Sequence, residues 1–163
     1  MANQRKEIKN TLIAYLAAKG ILVDGVTMDS SRWKFNRAFP IDHRSVPLAL
    51  VYYDQDRRQD DSGIDRTPTS LDIANQYEKE VDISIQGIFA VAASDTDNGA
   101  TAGDLSDDFE NDLFEAIAEN TTVSGTADHI EHLNSRFMIS KGETNEVFQH
   151  VSMTFRFYYQ KQI

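Results

Sequence analysis

The chain has 163 residues, of which 40% are hydrophobic and 26% charged, with no cysteine and a formal net charge of −10. The absence of cysteine excludes disulfides, thiolate metal sites and cysteine nucleophiles, and no apolar run approaches the roughly 20 residues of a membrane-spanning helix. The length suits one domain over 1–163, burying roughly 70% of the unfolded chain's surface, and the opening MANQRKEIKN lacks the apolar stretch of a secretory signal, so a cytoplasm-like compartment is expected.

The charge is unevenly spread. Residues 1–79 hold 12 basic and 11 acidic side chains, whereas 80–135 hold 13 acids and neither Lys nor Arg. Two readings fit: a solvated acidic face that keeps the protein soluble, or a surface that attracts a basic neighbour and repels nucleic acid.

In chain order, residues 5–19 are predicted helical. Ile8, Leu12, Tyr15 and Leu16 make one apolar stripe, Asn3 is a fitting N-cap and Gly20 a fitting C-terminal stop. Residues 21–26 lead toward a sheet. Residues 32–39 alternate Trp33, Phe35, Arg37 and Phe39 with Arg32, Lys34, Asn36 and Ala38, a strand ended by Pro40. Basic strands with aromatic rings bind single-stranded nucleic acid; here rings and bases fall mostly on opposite faces, so the rings are assigned to the core. Residues 46–53 (VPLALVYY) are apolar on both parities, as in a strand covered on both faces. Residues 54–70 contain only Ile64 as a large apolar residue and read as a long polar loop.

The two longest strands organise the rest. In 77–91, Val81, Ile83, Ile85, Phe89 and Val91 share one parity, broken only by Gly87, while Glu80, Asp82, Ser84 and Gln86 take the other. Such a strand has one face on a core and one partly in water. After a loop at 94–103, a helix is predicted over 104–119, with Asp104 as N-cap and Asp107 and Asp108 in its first turn. Leu105, Phe109, Leu113, Ala116 and Ile117 form its buried stripe, and Asp108, Glu110, Asp112, Glu115 and Glu119 turn away from it. A linker at 121–128 precedes strands at 130–139 and 146–159, joined as a hairpin by SKGETN. The expected fold class is α/β (α+β): a mixed, largely antiparallel sheet of about four to five strands with two main helices packed on it.

Catalytic and metal-binding patterns are weak. His129 and His132 stand three apart in a segment read as a strand, where such positions face opposite sides. With Asp95 as its first position, the DTDNG stretch puts Ala100 and Ser106 where a calcium loop requires Gly and Glu. Asp54, Asp56, Asp60 and Asp61 alternate with Arg57 and Arg58 in a flexible loop, which suits self-neutralising surface charge better than acid–base chemistry. Phosphate-binding glycine loops, Gly-x-Ser-x-Gly elbows and His-Glu-x-x-His are missing. No catalytic residue, cofactor or metal site is expected, and enzyme activity is not.

The order of the parts nevertheless carries a resemblance. It runs from the amphipathic helix RKEIKNTLIAYLAAKG and the strand RWKFNRAFP to VPLALVYYDQD opening into a polar loop. The strand EKEVDISIQGIFA, the helix GDLSDDFENDLFEAIAEN and a hairpin ending in TFRFYY complete it. Over nearly its whole length the chain resembles the tail terminator, or tail completion, proteins of long-tailed bacteriophages, through loose patterns of hydrophobicity. The resemblance implies a structural virion protein at the head-proximal end of the tail, made and assembled in the host cytoplasm. Six copies form a ring that caps the finished tail tube, stops its polymerisation and offers a surface to the head connector or stopper. Partners are then itself, the tail tube protein and that connector; membrane and sequence-specific nucleic acid are not, although DNA passes through the ring.

Another neck component, such as a head–tail joining or stopper protein, is the nearer alternative; a small ligand- or Ca²⁺-binding module is the more distant one. A closed ring needs a patch on one subunit to meet a different patch on the next. Arg32, Lys34 and Arg37, opposite in sign to the acidic 80–135 region, are expected in subunit or tube contacts. Loop residues Asp54, Asp56, Arg57, Arg58, Asp60 and Asp61 are expected to order only on assembly, with Arg57 and Arg58 making the contacts.

Overall fold

The computed structural model describes residues 3–35, 46–54, 76–91, 98–141 and 147–162. The first helix, α1 (Gln4–Lys19), starts where the sequence places it. Asn3 is extended and its side chain accepts a hydrogen bond from the Lys6 amide, while Gly20 ends the helix in the left-handed region. A small hairpin follows, β1 (Leu22–Val23) and β2 (Val26–Thr27), turning at Asp24 and Gly25 with φ of 50° and 78°. A two-residue turn with both φ positive matches the twist of the flanking strands.

The main sheet contains β3 (Trp33–Phe35), β4 (Leu48–Tyr53), β5 (Gln76–Val91), β6 (His129–Lys141) and β7 (Val147–Gln162) in the order β3-β4-β5-β7-β6. Among the described strands β3 and β4 are parallel and the other pairs of this sheet antiparallel. With α1 and a second helix, α2 (Asn98–Ala118), this is an α+β fold with a mixed sheet, as the alternation predicts.

One side of the sheet carries the helices. Ile8, Leu12 and Leu16 of α1 and Phe109, Leu113, Ala116 and Ile117 of α2 pack with Val81, Ile83, Ile85, Phe89, Val151, Met153, Phe155 and Phe157 in one buried cluster. Tyr15 Oη joins the helices by donating to the Ala116 carbonyl at 2.7 Å, and Lys19 pairs with Glu119. The break in alternation at Gly87 has a steric cause. A Cβ there would come within 2.8 Å of both the Phe109 and Phe89 rings, which themselves meet edge to face.

Two expectations need correction. The backbone of α2 begins at Asn98, so Asp104, Asp107 and Asp108 lie beyond its first turn and Asp104 is not the N-cap. Helix propagation gains a hydrogen bond for each residue fixed, so a helix anchored by Phe109 and Leu113 extends through NGATAG despite its weak side-chain signal. The polar parity of β5 is not partly in water either. Asp82, Ser84 and Gln86 are buried, as are their neighbours His150, Thr154 and Arg156 on β7. Residues 36–39 of the basic segment and residues 55–70 of the expected loop lie outside the described residues, as does the part of SKGETN after Lys141.

Candidate functional site

Beyond the helix-covered core, two regions stand out: a buried polar layer and the two edges of the sheet. The layer follows from register. Asp82 pairs with Arg156, Ser84 with Thr154 and Gln86 with Ser152 across β5 and β7. Arg156 donates from Nε and Nη2 to the two Asp82 carboxylate oxygens at 2.8 and 3.1 Å, and Glu80 lies 3.8 Å from Nε. The Asp82 carboxylate pushes the guanidinium pKa up further, against the opposing effect of burial. Ser84 and Thr154 share a hydrogen bond of 2.8 Å.

Gln86 Nε2 donates to His150 Nδ1 at 2.9 Å, which leaves the proton on Nε2 to be donated to Ser140 Oγ at 2.6 Å. Burial lowers the His150 pKa below its ordinary value, favouring this neutral form. The layer thus crosses three strands, β5, β7 and β6, with complementary groups.

The edges differ from each other in shape and sign. At one edge, β6 is bonded to β7 and, among the described residues, to no other strand, and a bulge interrupts it between His132 and Asn134. Past the bulge, Phe137, Met138 and Ile139 are 48, 52 and 67% exposed. Register opposite Val151 and Gln149 puts Phe137 and Ile139 on the helix side, and Met138 on the other. Phe114 of α2, 47% exposed, leans over this edge with its ring 5.7 Å from His132. Asp107 and Glu110 share its flank of the helix by the i, i+3, i+4 rule, so the apolar patch is framed by carboxylates.

At the opposite edge, α1 lies over β3 and β4. Lys9 Nζ sits 4.1 Å above the Phe35 ring and Arg5 stacks over Tyr53. Lys6 is exposed, Arg32, Lys34 and Ile13 are half-buried, and Arg32 donates to the Pro47 carbonyl at 2.9 Å. One acid intrudes: Asp29 accepts from Ser31, which holds its carboxyl below the usual range with smaller help from Arg32 and Lys34. Four inter-strand spacings, roughly 19 Å, separate the two edges.

Of the residues singled out from sequence, Arg32 and Lys34 stand at this basic edge, and Asp54 directly follows β4 with its amide bonded to the Asp82 carbonyl. Arg37, Asp56, Arg57, Arg58, Asp60 and Asp61 lie outside the described residues. Trp33 is core: it donates to the Met28 carbonyl and lies near Phe109, so its ring is withdrawn from any nucleic acid. His129 stacks on Tyr158 while His132 packs against Phe155 on the other side, as the spacing predicts for a strand. The acidic stretch divides. Asp82 and Glu80 are engaged with Arg156 inside, whereas the acids of α2 face outward around Phe109 and Leu113.

Sequence reasoning missed the edge patch. Its signals were present: Phe114 falls off the buried stripe of α2, and Phe137-Met138-Ile139 puts apolar side chains on both faces of one strand. Among the described residues no helix is long and apolar enough to cross a membrane. No protein-family model matches the chain, and no curated protein is similar enough to it to carry a function across.

Proposed function

We propose that the protein is a tail terminator of a long-tailed bacteriophage: a structural protein whose copies close into a ring on the end of the tail tube, end its growth and receive the head connector. The observation that carries this reading is the uncovered apolar edge formed by Phe114, Phe137 and Ile139. Large apolar side chains clustered at an unpaired strand edge favour association, because burying them removes them from water and pairing satisfies the open backbone groups. The order of elements supports the same reading: a capped amphipathic helix, a short basic strand, a doubly covered strand, a long alternating strand, an acidic helix and a hairpin.

Electron microscopy of the purified protein mixed with tail tubes tests the proposal. Annular particles seated on tube ends, and tubes of uniform length in their presence, are the expected outcome. Rings that bind head connectors and ignore tube ends would assign the protein to the stopper role instead, and a thermal midpoint raised by a metal or metabolite would favour a ligand-binding module.

A further inference from the structure

The two sheet edges are unlike in a way that specifies how one copy meets the next. The β6 edge presents Phe114, Phe137 and Ile139 beside Asp107 and Glu110 on the helix side, and Met138 with the exposed Arg136 on the other. The α1–β3 edge presents Ile13 and Phe35 beside Lys6 and Lys9 on the helix side, and Lys34, which alternates with Trp33 and Phe35, on the other. On both edges the helix flank stands above the strand on the same side of the sheet, so strand can face strand while helix faces helix.

We propose that the β6–α2 edge of one copy docks on the β3–α1 edge of a second copy. Phe137 and Ile139 are then covered beside the neighbour's β3, and Asp107 and Glu110 face the lysines of the neighbour's α1. On the helix side, where the acids and lysines stand, the alternatives are disfavoured by sign. A two-fold β6–β6 pairing brings Asp107 and Glu110 of both copies together, and a β3–β3 pairing brings the lysines together. Like charges placed opposite each other penalise a wrong pairing more than matched ones reward a right one. The lysine stems also suit the contact, since they cover apolar surface while their ammonium groups stay at the rim. A contact between unlike patches repeats head to tail and closes if its rotation permits. That closure rests on the ring reading above, but the pairing itself does not.

The absence of cysteine makes a clean test available in the full-length protein. Lys34→Cys and Met138→Cys, both on the side away from the helices, are made singly, with Lys6→Cys and Phe114→Cys as a second pair at the helix flank. Each is checked for an unchanged thermal midpoint, then oxidised or treated with a short bis-maleimide alone and in mixtures. Lys34→Cys mixed with Met138→Cys should yield a covalent heterodimer roughly tenfold or more above any variant alone, because docking raises the effective concentration of the two thiols. The Lys6→Cys and Phe114→Cys mixture should behave alike, and the yield should fall as salt screens the rim charges.

Self-linking of Met138→Cys or Phe114→Cys at or above the mixed yield would overturn the proposal in favour of the two-fold contact. Equal, low yields everywhere would overturn it outright. Tube capping is scored separately with uncross-linked protein. Linked pairs from a protein that ignores tube ends would sink the tail reading and leave the contact standing, whereas capping without these links would do the reverse.

Discussion

On the helix side of the sheet, Trp33, Phe89 and Phe109 pack ring against ring, and Gly87 leaves the space they occupy. On the other side, Asp82, Ser84, Gln86, His150, Thr154 and Arg156 are buried just as deeply and are held by cross-strand hydrogen bonds. The apolar side draws its stability from area removed from water and from close packing, which are non-directional. The polar side gains little net energy from each bond, but it penalises any other arrangement, because an unmatched buried group loses its water without a replacement. A one-residue slip of β7 would drive Arg156 and His150 into the aromatic cluster. The difference assigns bulk stability to one face and strand register to the other.

The sharpest way to break this comparison is at Phe109, fully buried between two other rings. Phe109→Ala should cost about 3–5 kcal/mol, through lost transfer energy and the cavity left behind. A loss under ~1 kcal/mol in urea unfolding would mean that α2 does not seat as described.

Arg156→Met should cost a comparable 3–5 kcal/mol, but for the opposite reason, since it strands the buried Asp82 charge. Adding Asp82→Leu and Glu80→Gln to that variant should then restore most of the stability, which no second substitution can do for Phe109→Ala. Equal damage in the single and combined variants would refute the account of the layer as paired charge.

Gly87→Ala should be milder, about 1–3 kcal/mol, because one methyl must displace ring atoms of Phe109 and Phe89. Pairing it with Phe109→Leu should recover part of the loss; additive losses would place the strain elsewhere.

The smallest effect is a pH dependence at His150. Its pKa is lowered by burial, so the unfolded chain binds the proton more readily than the folded one below the ordinary value of 6.5. Stability therefore rises with pH through that window and is fully present above 6.5; it declines as pH falls, by at most about 1.4 kcal/mol per pH unit from this one group. His150→Gln should flatten that part of the profile of chemical-denaturation midpoints. An unchanged slope would shift the cause to other groups.

Much of this fold was legible in the chain because helices and strands announce themselves by local periods. The alternation of Val81, Ile83 and Ile85, the stripe of Phe109 and Leu113, and the Asn3 and Gly20 caps all depend on near neighbours. The rest was decided by residues far apart in sequence. Whether Asp82 faces water or Arg156 depends on a partner 74 residues away, and the reason for Gly87 lies in rings contributed by α2. The start of α2 was missed because propagation from a packed segment outweighs weak local preferences. Phe137 and Ile139 have the composition of core residues, yet their exposure follows from β6 being the last strand of the sheet. Alternation can be read from one strand alone; burial cannot, because it depends on which strands and helices the tertiary structure sets beside it.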